Sequence, residues 1–202
     1  MSAIERDTEG VRRLLEVIAD DVVPLTRDGV AAGNKLFGAA IVRKDDLRTV
    51  IAATNDETAC PLWHGEIHAI KKFYELAQRP DPKECLLLAT HEPCSLCLSG
   101  IAWAGFDQFA YLFSHQDSAS SFAIPYDIAI LREVYAVPDP DRTAPAADRD
   151  LYNRSNAFFT STDLMPAARD VAPDRLAELE RTYAELSAIY QGHKGSGNIA
   201  LA

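Results

Sequence analysis

Two short stretches of this chain carry residues that hold metals. His64-Gly65-Glu66 places an imidazole one residue from a carboxylate, and Pro93-Cys94-Ser95-Leu96-Cys97 places two thiols three positions apart. One imidazole and two thiolates are ligands that zinc prefers. A structural zinc site is closed by four protein ligands, whereas a catalytic one keeps a corner for water. Here the nearest further candidate, Glu66, sits beside the ligand set, as in a hydrolytic centre. A nucleophile made from water needs a base to take its proton and an acid to protonate the leaving group. One carboxylate can do both in turn.

These residues need elements to position them. Leu86 to Thr90 is a continuous apolar run, the pattern of a central strand covered on both faces. A helix is expected from Cys94 to Ala104, then a strand near Phe109 to Phe113. Upstream, a helix from His64 to Ala77 presents Ile67, Ile70, Tyr74 and Ala77 on one face, and Arg79-Pro80-Asp81-Pro82 stops it. Both ligand clusters thus fall at helix starts, where unpaired N–H groups favour thiolates. Phe37 to Val42 and Arg48 to Ala53 read as strands joined at Asp45-Asp46. Before them, Val11, Leu14, Leu15, Ile18 and Val22 follow helical spacing, and Pro24 should end or kink that helix. Strand–helix–strand alternation implies a right-handed crossover with some parallel pairing. The expected class is α/β, a three-layer α/β/α sandwich with a central mixed sheet.

Later signals are weaker. Asp127 to Tyr135 has helical character, and Pro138 to Asp150 is a proline- and acid-rich loop. Leu176, Leu179, Tyr183 and Leu186 mark an amphipathic helix, followed by a loose tail from Gly192. The expected organisation is a zinc-dependent domain over 1–150 and a C-terminal extension over 151–202.

With 202 residues, 48% hydrophobic and 25% charged, the chain can bury one real core. Four cysteines do not suggest a disulfide scaffold, and no stretch has the length of a signal peptide or membrane span. A cytoplasmic protein without membrane contact is expected. The net charge of −10 argues against long nucleic acid, which requires a basic stripe. A small neutral partner fits better.

Other chemistries use parts of the same pattern. Cys94 and Cys97 alone could form a redox dithiol, and Cys60, Cys85, His68 or His91 could close a structural zinc site without catalysis. The order His64-Gly65-Glu66-Ile67-His68 displaces the glutamate by one place from the zincin motif. His68, His115 and His193 read as surface histidines, and Cys60 and Cys85 as inert thiols.

His-x-Glu followed by Pro-Cys-x-x-Cys is the zinc-deaminase signature. From Asn34 to Phe113 the chain resembles the cytidine-deaminase-like superfamily, in particular the branch holding cytosine deaminase, guanine deaminase and the bacterial tRNA adenosine deaminases. Phe37-Gly38-Ala39-Ala40-Ile41-Val42, Asn55 and Thr90-His91-Glu92-Pro93 carry the likeness beyond the metal motifs. The resemblance implies one Zn²⁺ per chain on His64, Cys94 and Cys97, with Glu66 as proton shuttle. It implies that Asn55 hydrogen-bonds the base, with help from the backbone at Gly65. Asp117 is similar to an acid that contacts the purine in guanine deaminases, and Arg142-Thr143-Ala144-Pro145 is similar to their C-terminal region. A homodimer is also implied, with the helix near Leu176 to Tyr190 as a possible contact.

The chain departs from the pattern at Gly65, where most relatives have alanine, in a short loop from Asn55 to His64, and beyond Asp150. The expected reaction is hydrolytic deamination of a free nucleobase or related amino-heterocycle. Guanine or another aminopurine is favoured by Asp117, and cytosine by the His-Gly-Glu wording. Trp63 or Trp103 could stack on the ring or simply pack.

Overall fold

The computed structural model describes residues 8–133 and 159–193. A five-stranded sheet in the order β2-β1-β3-β4-β5 forms its middle layer. Strands β1 (Gly38–Arg43) and β2 (Thr49–Thr54) form an antiparallel hairpin, and β1 also runs antiparallel to β3 (Cys85–His91). Every residue of β3 is buried, as its unbroken apolar run requires. Helix α4 (Ser95–Trp103) then carries the chain to β4 (Gln108–Phe113), which pairs in parallel with β3. The sheet is therefore mixed.

Side chains alternate across the strands and feed two cores. Ala40, Val42, Leu86, Leu88, Ala110 and Leu112 face one apolar cluster, and Ala39, Ile41, Leu87, Ala89, Phe109 and Tyr111 face the other. The second cluster is covered by α3 (Gly65–Glu75) and α4, through Ala69, Phe73, Leu98 and Ile101. The first is covered by α1 (Thr8–Val17), α2 (Val23–Ala31), α7 (Met165–Val171) and α8 (Pro173–His193). Three layers result.

Of the two outcomes expected at Pro24, an end or a kink, the end does not occur. The helix neither stops nor breaks there, because a π-helical turn over Ile18–Val22 joins α1 to α2. The Val23 N–H reaches back five residues to the Ile18 carbonyl. This wider turn takes in one extra residue ahead of a proline that has no N–H and whose ring would press on the preceding turn.

The expected division at residue 150 also changes. Strand β5 (Thr160–Asp163) pairs in parallel with β4 and completes the same sheet. Leu176, Leu179, Tyr183, Leu186 and Tyr190 of α8 are buried in the first core. The segment expected as an extension is built into the domain. The apolar face of α8 is thereby used within the chain and is not free to join two copies. The stretch 138–150, including Arg142 to Pro145, lies outside the described residues. Among those described, no helix is long and apolar enough to cross a membrane.

Candidate metal centre

His64 is the N-cap of α3 and Cys94 the N-cap of α4; both are extended, with ψ of 159° and 172°. Neither side chain caps its own helix. They turn towards each other instead, and Cys97 joins them from the first turn of α4. Cys94 Sγ lies 3.5 Å from His64 Nδ1, Cys97 Sγ lies 3.7 Å from the same nitrogen, and the sulfurs are 3.6 Å apart. A tetrahedron with zinc–sulfur bonds of about 2.3 Å and zinc–nitrogen bonds of about 2.0 Å has edges near these lengths. The sulfurs are far too distant for a disulfide, and both cysteines are free. The donor set fits zinc.

Among the described residues no fourth His, Cys, Asp or Glu joins this group. Cys85 is buried and Cys60 half-buried, both apart from the metal set. His68, expected to be solvated, approaches the Thr54 carbonyl through Nδ1 at 2.9 Å and stacks on Trp63. His91 is buried, with Nδ1 2.9 Å from the Thr90 hydroxyl oxygen.

Helix α3 faces inward one position earlier than its apolar pattern suggests. Glu66, Ala69 and Phe73 are buried, while Tyr74 is exposed. This rotation brings Glu66 in beside the metal set. A Cβ on Gly65 would lie only 2.8 Å from Gly38 Cα, so the glycine lets the start of α3 press directly on β1.

Electrostatics suit such a site. Burial pushes the Glu66 carboxyl up to about 7, and the negative charge of Cys94 adds to the effect. The hydrogen bond from Cys97 and the neighbouring His64 outweigh burial and hold the Cys94 thiol down to about 4. Burial alone would lower the His64 imidazole, but the Cys94 hydrogen bond and charge raise it to about 9. Burial raises the Cys97 thiol. Without metal the trio is a thiolate–imidazolium pair beside a neutral thiol. Loading a cation must therefore expel protons from His64 and Cys97.

The expected substrate residues divide. Asn55 Oδ1 accepts the Gly65 N–H at 2.6 Å, which fixes the amide and leaves a buried Nδ2 without a partner among the described residues. That same bond uses up the Gly65 N–H, so Gly65 positions Asn55 and offers no free donor to a ligand. Asp117 is committed elsewhere. Its Oδ2 accepts the Ser114 N–H at 2.8 Å and the Ser114 hydroxyl at 2.6 Å, forming the capping box of α5 (His115–Ser120). The acid that reaches the centre is Asp127, on the first turn of α6 (Tyr126–Glu133).

A cavity of about 20 Å³, room for a single water, is lined by Phe37, His64, Glu66, His91, Glu92, Cys94 and Asp127. Burial pushes the Asp127 carboxyl up to about 6, assisted by the charge of Cys94. Spacing alone marks α6 as a helix without singling out its acid. The available signal was an Asp at a helix start soon after the last strand of the strand–helix–strand unit. His115, expected at the surface, is buried beside Asp127. Trp103 is 92% exposed, and Trp63 lies between His68 and the Lys71 ammonium; neither lines the cavity.

Residues 16–113 match the family described as the cytidine and deoxycytidylate deaminase zinc-binding region. The guanine deaminase of Bacillus subtilis (strain 168) is 30% identical over 135 residues, covering 64% of this chain and 82% of the relative. The X-ray structure of guanine deaminase from Bacillus subtilis superposes with a TM-score of 0.51 at 30% identity, over 68% of this chain and 86% of that one. A guanine deaminase structure from Nitrosomonas europaea gives a TM-score of 0.51 at 19% identity, over 81% of each chain, a likeness of fold.

Proposed function

This chain belongs to the zinc-binding cytidine and deoxycytidylate deaminase family, and from that premise we propose that it deaminates a free aminopurine, guanine foremost. It is a zinc-dependent hydrolytic deaminase with one zinc ion per chain. Support for the purine comes from the guanine deaminase relative, of which this chain covers 82%. The cavity supports a free base: among the described residues its lining holds Glu66, Glu92 and Asp127 and no lysine or arginine. A nucleotide phosphate there would meet carboxylates.

His64, Cys94 and Cys97 hold the zinc. Bound there, zinc supplies a Lewis acid that makes water nucleophilic near neutral pH. Glu66 takes the proton from the attacking water, passes it to the ring nitrogen next to the amino-bearing carbon, and then assists departure of ammonia. A buried carboxyl beside the metal set can accept a proton and return it in a later step. Asn55, held by Gly65, turns its spare N–H towards a ring acceptor. Asp127 accepts a ring N–H, which guanine presents and a fully substituted ring does not.

The cavity is far too small for a purine, so its walls must move apart to admit one. A homodimer, expected from the resemblance, would have to join through a surface other than the apolar face of α8.

Ammonia release from guanine, cytosine, cytidine and adenosine by the zinc-loaded protein tests the reading. Guanine should lead. Faster turnover of cytosine would overturn the purine assignment while leaving the deaminase chemistry in place.

A further inference from the structure

We propose that His115 is the positioning residue for Asp127, and that the pair sets the enzyme's preference for rings that present an N–H edge. The proposal rests on the aminopurine reading above. His115 opens α5 and is 8% exposed, yet among the described residues neither ring nitrogen has a hydrogen-bond partner. An imidazole buried without partners is costly. Its Nδ1 lies 3.9 Å from Asp127 Oδ2, too far for a hydrogen bond. The gap lies beside the cavity whose wall Asp127 forms. Such bonds often stand open in a free enzyme and close on the substrate complex.

The backbone around His115 is held firmly, while its ring is not. Its N–H donates to Glu92 Oε2 at 2.9 Å, and Glu92 lines the same cavity. The Ser114–Asp117 capping box fixes the residue just before it. Asp117 therefore serves the site indirectly, by setting where α5 begins.

A carboxylate has two oxygens and accepts only. With His115 donating to one oxygen of Asp127, the other is aimed and left for a ring N–H. Without His115 the carboxylate is free to rotate, and orientation losses of this kind cost up to about 100-fold.

The zinc-loaded protein and three variants test this, using guanine, which has ring N–H groups, and cytidine, whose ring has none, as substrates. His115→Phe keeps the ring and removes both nitrogens. It should lower kcat/KM for guanine by about 10- to 100-fold, chiefly through KM, and narrow the guanine-to-cytidine ratio, with zinc content unchanged. In an Asp127→Asn background the same change should add less than about twofold, since interacting positions are not additive. An unchanged kcat/KM in His115→Phe, or a full independent loss in the Asp127→Asn background, would overturn the proposal.

Should His115→Phe fail to fold, His115→Asn and His115→Gln give a second comparison. The Asn amide lies near the place of Nδ1 and should retain more activity than Gln; an equal or reversed order would also overturn it. A wild-type protein inactive on every aminopurine sinks the substrate reading instead, and the His115 comparison is then made with its best substrate.

Discussion

At the scale of single residues, the metal set and Glu66 could be read from spacing because their chemistry tolerates few alternatives. Glu66→Gln should keep zinc and lose ammonia release by about 100- to 10,000-fold, checked by metal analysis beside a turnover assay. Normal turnover in that variant would free Glu66 from the proton relay. Asn55 makes a sharper case. Its Oδ1 is pinned by the Gly65 N–H, so the other half of the amide has to donate. Asn55→Asp keeps the bond to Gly65 and replaces the donor with an acceptor. Guanine binding should weaken by at least about tenfold through an unpaired or repelled group, while the thermal midpoint stays near that of the wild type. A KM equal to the wild-type value would remove Asn55 from recognition. Asp117 and Asp127 show why acids are hard to assign from a sequence. Both follow the last strand of the family region, and only the path of the turn after α5 decides which one faces inward.

At the scale of elements, the strands and helices that carry the motifs were legible from period and turn chemistry. The π turn before Pro24 was not, because an inserted residue leaves the apolar stripe nearly intact. Nor was the setting of α3, whose inward face is decided by the contact between Gly65 and Gly38 and not by its own pattern. Gly65→Ala, although it restores the commoner residue of relatives, should be unfavourable here. Its methyl would overlap backbone atoms of Gly38, which cannot swing aside as a side chain can. Overpacking of this kind costs about 1–3 kcal/mol, and α3 would lift together with Glu66. Denaturant unfolding and turnover should both register the change. A variant as stable and active as the wild type would mean that α3 and β1 have slack between them. Strand β5 is not legible in the sequence because Thr160-Ser161-Thr162-Asp163 carries no apolar alternation. It earns its place as an edge beside β4, where half-buried polar side chains are tolerated.

At the scale of the whole molecule, the rear of the centre is closed by one imidazole. The Thr90 hydroxyl oxygen accepts the Gly38 N–H and donates to the Gly38 carbonyl, so it can only accept from His91. The proton of neutral His91 therefore sits on Nδ1, and Nε2 has no hydrogen-bond partner among the described residues. Phe37, Phe113, Phe122 and Tyr183 surround the ring with centroids 4.7 to 5.3 Å away. Burial, with some help from His115, pushes this histidine down to about 3. Between its ordinary value of 6.5 and about 3, the unfolded chain binds a proton that the folded one refuses. Stability should therefore fall with falling pH across that window, by up to about 1.4 kcal/mol per unit. Glu66 and Asp127, held above their ordinary values, act in the opposite sense. The difference in slope between wild type and His91→Phe in urea titrations isolates the histidine, and equal slopes would show that it does not titrate as described. The four rings come from the loop before β1, from β4, from the turn after α5 and from α8. Ser187 and Gln191 of α8 also donate to the Phe122 carbonyl. Catalysis is thus hostage to a helix made long after the ligand-bearing motifs have left the ribosome. A stop codon ahead of Pro173 should yield an inert polypeptide and not a leaner enzyme, and nascent chains should gain activity only once α8 has emerged.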